Sequence, residues 1–340
     1  MYLKENEIDV ASVLADIAGN IRDFNKPVDL CLDHFGEDEV LNPFEPGARA
    51  DSITIDDPIP NGFLGRLGIR HVISNASPGK LEIQVHLDMG NNRNSKGPCR
   101  WNNLKNDAVI ESLQTIIGDS PVIQFADWAK TDDASGYWNG LFSDVIKPLN
   151  RRDFEFVFQL GDITKKLAFE VDEILDIVGD YSSYGRVTLM LDENEADKLW
   201  SRLHGQDTGA TISGFRPHNT KEKYLFLFNT MKIDVLLVLC GSHTVLLSED
   251  WQFDIAGSSL KDINTSVYAR DCFITGYQIG LLLHFDIPHC VALGQAVSGT
   301  YVENASRPSS KALLAFINAW MAELKQMTAR DSLSPLVSTV

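Results

Sequence analysis

Several signals that would settle a function at once are missing from this 340-residue chain. It has no GxxxxGK[ST], no GxGxxG after a strand pattern, no HExxH, no GxSxG and no EF-hand loop. The most stereotyped nucleotide, metal and hydrolase sites are therefore excluded. Cysteine is sparse: five residues (31, 99, 240, 272 and 290), odd in number and without CxxC spacing. That usage points to a reducing compartment and free thiols. Basic residues are few, 30 Lys and Arg against 47 Asp and Glu, for a net charge of −17. The longest basic runs are the pairs Arg151-Arg152 and Lys165-Lys166. A surface this acidic repels phosphate, which argues against general nucleic-acid binding and against anchoring on an anionic membrane. No apolar run reaches the about 20 residues that a membrane-spanning helix needs. The opening MYLKENEIDVASVL lacks the basic-then-apolar pattern of a signal peptide. The expectation is a cytoplasmic protein without membrane insertion, and no cofactor is implied.

What is present is a strong architectural signal. Residues 154–160 alternate, with Phe154, Phe156, Phe158 and Leu160 on one face and Glu155 and Gln159 on the other. Leu167, Val171, Ile174, Leu175 and Val178 then form one helical stripe, with Gly179 as its stop. Residues 186–191 alternate again. Asp192 and Glu195 have the spacing of a capping box, and Ala196, Leu199, Trp200 and Leu203 make the apolar face of the helix that follows. A helical crossover between two strands favours a parallel pair. The alternation also suggests that part of the sheet keeps a polar face, which argues against a fully doubly wound fold.

Around this unit the pattern predicts helices over 7–24, 109–117, 135–147, 266–284 and 310–325. Strands are predicted over 69–89 as a hairpin, and over 122–125, 224–229, 234–239 and 244–247. Gly276 and Gly280, four apart on one helix, predict close approach of another backbone. The fold class is α+β (mixed α/β): a mixed sheet covered by helices, with a smaller N-terminal helix-plus-β-hairpin region. The expected boundaries are 1–105 for the N-terminal region, 106–327 for the larger α/β domain, and 328–340 for a flexible tail.

Three groups of residues carry candidate chemistry. Cys240-Gly241-Ser242-His243 lies at a turn, and a thiol or hydroxyl beside an imidazole oriented by Asp250 or Asp254 is the raw material of a cysteine- or serine-nucleophile hydrolase or transferase. His284, Asp286, His289 and Cys290 put four possible metal ligands within seven residues. Their bland alternative is a helix end followed by a turn. Trp101 and Trp128 sit in polar surroundings, as interface anchors do. With no catalytic signature and long polar loops at 90–106 and 206–222, the expected function is a non-catalytic protein-binding adaptor or complex subunit, joined to a protein partner or to copies of itself.

Overall fold

The computed structural model describes residues 9–23, 69–77, 80–82, 100–126, 128–130, 133–203, 220–241, 243–257, 267–304 and 308–333. In chain order the elements are α1 (Val10–Asp23), β1 (Ile69–Ser77), β2 (Lys80–Glu82), α2 (Trp101–Leu104), α3 (Asp107–Gly118), β3 (Val122–Phe125) and α4 (Ala134–Leu141). Helix α4 continues through a π-helical turn, Phe142–Ile146, into Lys147–Leu149. Then come β4 (Phe154–Phe158), α5 (Ala168–Tyr181), β5 (Gly185–Asp192), α6 (Glu193–Leu203), α7 (Thr220–Thr230), β6 (Val235–Cys240), β7 (His243–Ser248), β8 (Gln252–Ala256), α8 (Val267–Leu282), α9 (Ile287–Asn304) and α10 (Ser310–Leu333). The mixed α/β expectation holds. Two compact units are formed: one from described residues of Pro43–Leu239 and Val245–Gln252, the other from those of Glu5–Asn42, Cys240–Thr244 and Phe253–Val340.

The first unit is a mixed sheet in the order β2-β1-β3-β4-β5-β6-β7. Strands β1 and β3 pair antiparallel, whereas β3, β4, β5 and β6 are parallel neighbours. The expected crossover is therefore parallel, with Phe156 opposite Val187 and Phe158 opposite Leu189. Alternation places Phe154, Phe156 and Phe158 on one face. Phe125 stacks on Phe158 at 4.6 Å between centroids, and Trp138 and Tyr181 meet Phe125 edge-on at 5.3 and 5.4 Å. This aromatic layer is the core. The Tyr181 hydroxyl keeps its hydrogen bond, 2.7 Å to the Trp138 carbonyl, and burial pushes its pKa well up.

The other face is buried too. Val157, Thr188 and Met190 are fully covered, so the expected exposed polar face is absent from the centre of these strands. Glu155 meets burial with a bidentate partner: Arg186 Nε and Nη2 donate to its carboxylate at 2.9 and 2.7 Å. Burial still outweighs Arg186 and leaves the Glu155 pKa above the ordinary carboxylate value. Asp234, which interrupts an apolar run, accepts the Val187 N–H at 2.7 Å.

Two local expectations fail. Gly179 does not stop α5, which runs on to Tyr181; a Cβ at Gly179 would lie 3.1 Å from Lys232 Cβ, so the glycine serves packing. Residues 224–229 belong to helix α7, with Tyr224 and Leu227 as its buried positions. Strand β8 and helix α9 were not anticipated.

The second unit contains α1, α8, α9 and α10, which pack against one another. Helices α8 and α9 approach closely because glycines face backbone. A Cβ on Gly276 would lie 2.7 Å from the Leu293 carbonyl oxygen, and one on Gly280 would lie 2.8 Å from Cys290 Cα. The close approach expected at these two glycines is therefore present. Helix α10 extends to Leu333, past the expected start of the tail. Positions 83–99 of the expected hairpin and loop, Cys31, and loop residues 206–219 lie outside the described residues.

Candidate active site

In an open sheet with parallel strands, ligands settle in the crevice at the strand carboxyl ends. In the first unit that edge is built from Ala126 and Trp128 after β3, Gln159 to Asp162 after β4, Asp192 to Glu195 after β5, and Leu239 near the end of β6. The Ala129 N–H donates to the Leu160 carbonyl at 2.9 Å, tying the β3 and β4 loops together. Gly161 turns the β4 loop with φ +74°, where a side chain would be strained.

Asp162 follows that turn. Its Oδ1 accepts from the Thr164 backbone N–H at 3.0 Å, from the Thr164 hydroxyl, and from Lys198 Nζ at 3.0 Å. The Thr164 hydrogen bonds, then Lys198, hold the carboxyl far below its usual range. Asp162 is thus held as an anion by Thr164 and Lys198. The ammonium of Lys166 lies 4.7 Å above the Trp128 ring, and the Lys166 carbonyl accepts from Arg202 Nη2 at 3.0 Å. The Asp192–Glu195 box is closed in both directions, Glu195 N–H to Asp192 at 2.7 Å and Asp192 N–H to Glu195 at 3.0 Å. Lys166, Lys198 and Arg202 bring three cations close to the carboxylates of Asp162, Asp192 and Glu195, and Lys198 is paired with Asp162.

The residues singled out by chemical type lie elsewhere or are occupied. Among the described residues His243 makes no hydrogen bond to Cys240 or Asp254, and Asp254 points to solvent on β8. Cys240 is buried. Trp101 and Trp128 are 5% and 1% exposed, with their indole N–H groups on Asp144 Oδ2 (2.6 Å) and Ser135 Oγ (3.0 Å). Both are core residues in this chain, not exposed anchors.

The 284–290 segment is a helix–helix corner. His284, at φ +56°, closes α8 with the Phe285 N–H on the Gly280 carbonyl, a Schellman-type end. Asp286 caps α9 by accepting the His289 N–H at 3.1 Å and also contacts the His289 ring. The Cys290 thiol faces the Phe285 carbonyl at 3.6 Å. Among the described residues no three His, Cys, Asp or Glu side chains are grouped so that they could hold a metal ion, and at this corner Asp286 is engaged in capping.

A model described as Khk, prokaryotic ketohexokinase, matches residues 54–320. The chain belongs to the prokaryotic ketohexokinase family. That match spans β1 through the first part of α10 and overturns the expectation of a non-catalytic adaptor or complex subunit, and with it the hydrolase and metal-dependent alternatives. No curated protein matches the sequence. Solved structures similar to this ketohexokinase-family chain include a carbohydrate kinase from Agrobacterium tumefaciens, 14% identical with a TM-score of 0.42, covering 64% of this chain and 60% of that one. A probable sugar kinase protein from Rhizobium etli CFN 42 is 16% identical with a TM-score of 0.44, covering 61% and 56%. An adenosine kinase from Sinorhizobium meliloti is 13% identical with a TM-score of 0.45, covering 65% and 58%. The chain thus spans about 60% or less of the length of these structures.

The sequence search by residue type missed Gln159, Asp162 and Lys166. The signal that locates them was available: once 154–160 and 186–191 are paired in parallel, their carboxyl ends mark the site.

Proposed function

We propose that this chain transfers the terminal phosphoryl group of a nucleoside triphosphate to a hydroxyl of a ketohexose. The observation that carries the reading is the family match over residues 54–320. The strand carboxyl edge supports it, because phosphoryl transfer is largely positioning plus electrostatics. Lys166, whose ammonium lies over the Trp128 ring, offers charge to phosphate oxygens, and buried Gln159 offers an uncharged amide to a neutral sugar. Nucleotide donors act as magnesium complexes. Asp162, Asp192 and Glu195 supply carboxylates on this edge, but no protein-held cation is assigned to them. A cytoplasmic setting, where nucleoside triphosphates are held, goes with this reading.

The test is nucleotide-dependent phosphorylation by the purified chain. Ketohexoses and aldohexoses are compared at matched concentrations, with release of the nucleoside diphosphate and the phosphosugar measured together. Phosphorylated ketohexose is the expected product. Release of the nucleoside diphosphate with no phosphosugar from any ketohexose would count against the assignment.

A further inference from the structure

The geometry points to Gln159 as the residue that hydrogen-bonds a hydroxyl oxygen of the bound ketohexose and so sets which sugar the site accepts. This rests on the phosphoryl-transfer reading above. Gln159 is 6% exposed, and its Nε2 has no hydrogen-bond partner. Buried polar groups without a partner are rare in folded proteins, and each calls for an explanation. The other two unpartnered side-chain atoms among the described residues are carbonyl oxygens, on Gln278 and Gln295 in the second unit. Gln159 alone leaves a donor.

Its position follows from the ladder. The Gln159 N–H donates to the Phe125 carbonyl at 2.8 Å, so strand geometry continues one residue beyond β4. Alternation then puts Gln159 on the face of Glu155 and Val157, opposite the stacked Phe158. Val157 stands in register with Gln124 and Thr188. The next row toward the carboxyl edge is Ala126, Gln159, Met190 and Leu237. Gln124 and Thr188 are buried and have partners, so the missing partner is particular to the residue nearest the crevice.

The row around the amide is apolar and holds no charge. A phosphate oxygen would bring an anion there without a counter-charge, whereas a sugar hydroxyl accepts the N–H and remains neutral. A site built to hydrogen-bond a substrate hydroxyl also discriminates against sugars that lack it.

The experiment uses Gln159→Met in the full chain, close in volume but without the amide. Ketohexose and nucleotide are each varied at saturation of the other, and the melting temperature is followed by calorimetry. The expected result is a ketohexose KM raised about tenfold, a nucleotide KM within about twofold of wild type, and a melting temperature that is unchanged or higher. Loss of an unpartnered buried donor relieves the fold, so a merely structural role predicts the temperature effect without the KM effect. A ketohexose KM within about twofold of wild type would overturn the inference, and so would a nucleotide KM raised as much as that of the sugar. If the Met variant fails to fold, Gln159→Asn, which withdraws the amide by one methylene, is judged by the same criteria. The wild-type arm separates the two failures: no ketohexose phosphorylation sinks the functional reading itself, while normal wild-type turnover with an unchanged variant KM sinks only this assignment.

Discussion

Replacing Gly276 by alanine tests the helix crossing on which the second unit depends. The new Cβ would stand 2.7 Å from the Leu293 carbonyl oxygen and 2.8 Å from Gly294 Cα. Both are backbone atoms, so no side chain can rotate away. Either α8 and α9 separate or the methyl is compressed. Because the clash is with backbone, the cost falls in the upper part of the overpacking range, about 2–3 kcal/mol. Alanine returns about 1 kcal/mol of helix propensity relative to glycine. The net expectation is a loss of about 1–2 kcal/mol, or a melting temperature lower by about 2–8 °C. Gly19, in the interior of α1, has nothing within 4 Å of its would-be Cβ. Gly19→Ala should therefore raise stability by about 0.5–1 kcal/mol on propensity alone. Urea and thermal melts of the two variants, made side by side, cancel errors in the unfolded reference. If Gly276→Ala melts at or above wild type while Gly19→Ala is stabilised as expected, the glycine crossing does not constrain the fold and the packing account is wrong.

Three other outcomes are expected. Glu195→Ala opens the reciprocal cap at α6 and should cost about 0.5–2 kcal/mol in chemical denaturation; a change below about 0.3 kcal/mol would show that the reciprocal bonds contribute nothing net. Phe125→Ala removes the ring that meets Phe158, Trp138 and Tyr181 and should cost about 3–5 kcal/mol, read as a fall in the urea midpoint at constant slope. Asp162, held low by Thr164 and Lys198, contributes stability that is complete above the ordinary 3.8 and is lost as pH falls toward its folded pKa. Asp162→Asn should therefore differ from wild type by a constant amount from pH 5 to 8 and converge with it below about pH 4; parallel curves throughout that acid range would refute the ion-pair account.

How much of this fold could be read from residues depended on whether local pattern and tertiary partner agreed. They agreed for β4 and β5, where Phe154, Phe156 and Phe158 alternate and the Asp192–Glu195 cap fixes the next helix start. They agreed at Gly276 and Gly280, because only a close neighbour makes two glycines on one helix useful. They disagreed at Tyr224–Asn229, whose apolar run has no glycine or proline to mark its ends. Short apolar runs fit either period. There Lys223 pairs with Asp197 on α6, and α7 packs on that helix, which supplies the partner that a strand would have lacked. Gly179 misled for a related reason. A glycine near a helix end signals a stop only when the backbone needs a left-handed turn, and here it makes room for Lys232. The left-handed closing residue of α8 is instead His284, a histidine that invites a metal reading from sequence alone.

The site was harder to read because its chemistry is not carried by reactive side chains. A search weighted toward thiols and imidazoles selects Cys240, His243 and the 284–290 corner, where Cys240 and Cys290 are buried and Asp286 caps a helix. Phosphoryl transfer asks mainly for oriented donors and a favourable field, and such groups look ordinary in a linear sequence. Lys166 resembles a solvated lysine until the Trp128 ring is found beneath it. Asp162 resembles a turn aspartate until Thr164 and Lys198 are seen to fix it. Gln159 resembles a polar position on a half-exposed strand until both faces of the sheet prove to be covered and its amide is left without a partner. What identifies each of them is its place at the carboxyl end of a parallel strand. Parallel pairing is therefore the inference from which the proposed site has to be derived, and the hydrogen-bond donor left over at Gln159 is the observation on which its proposed role rests.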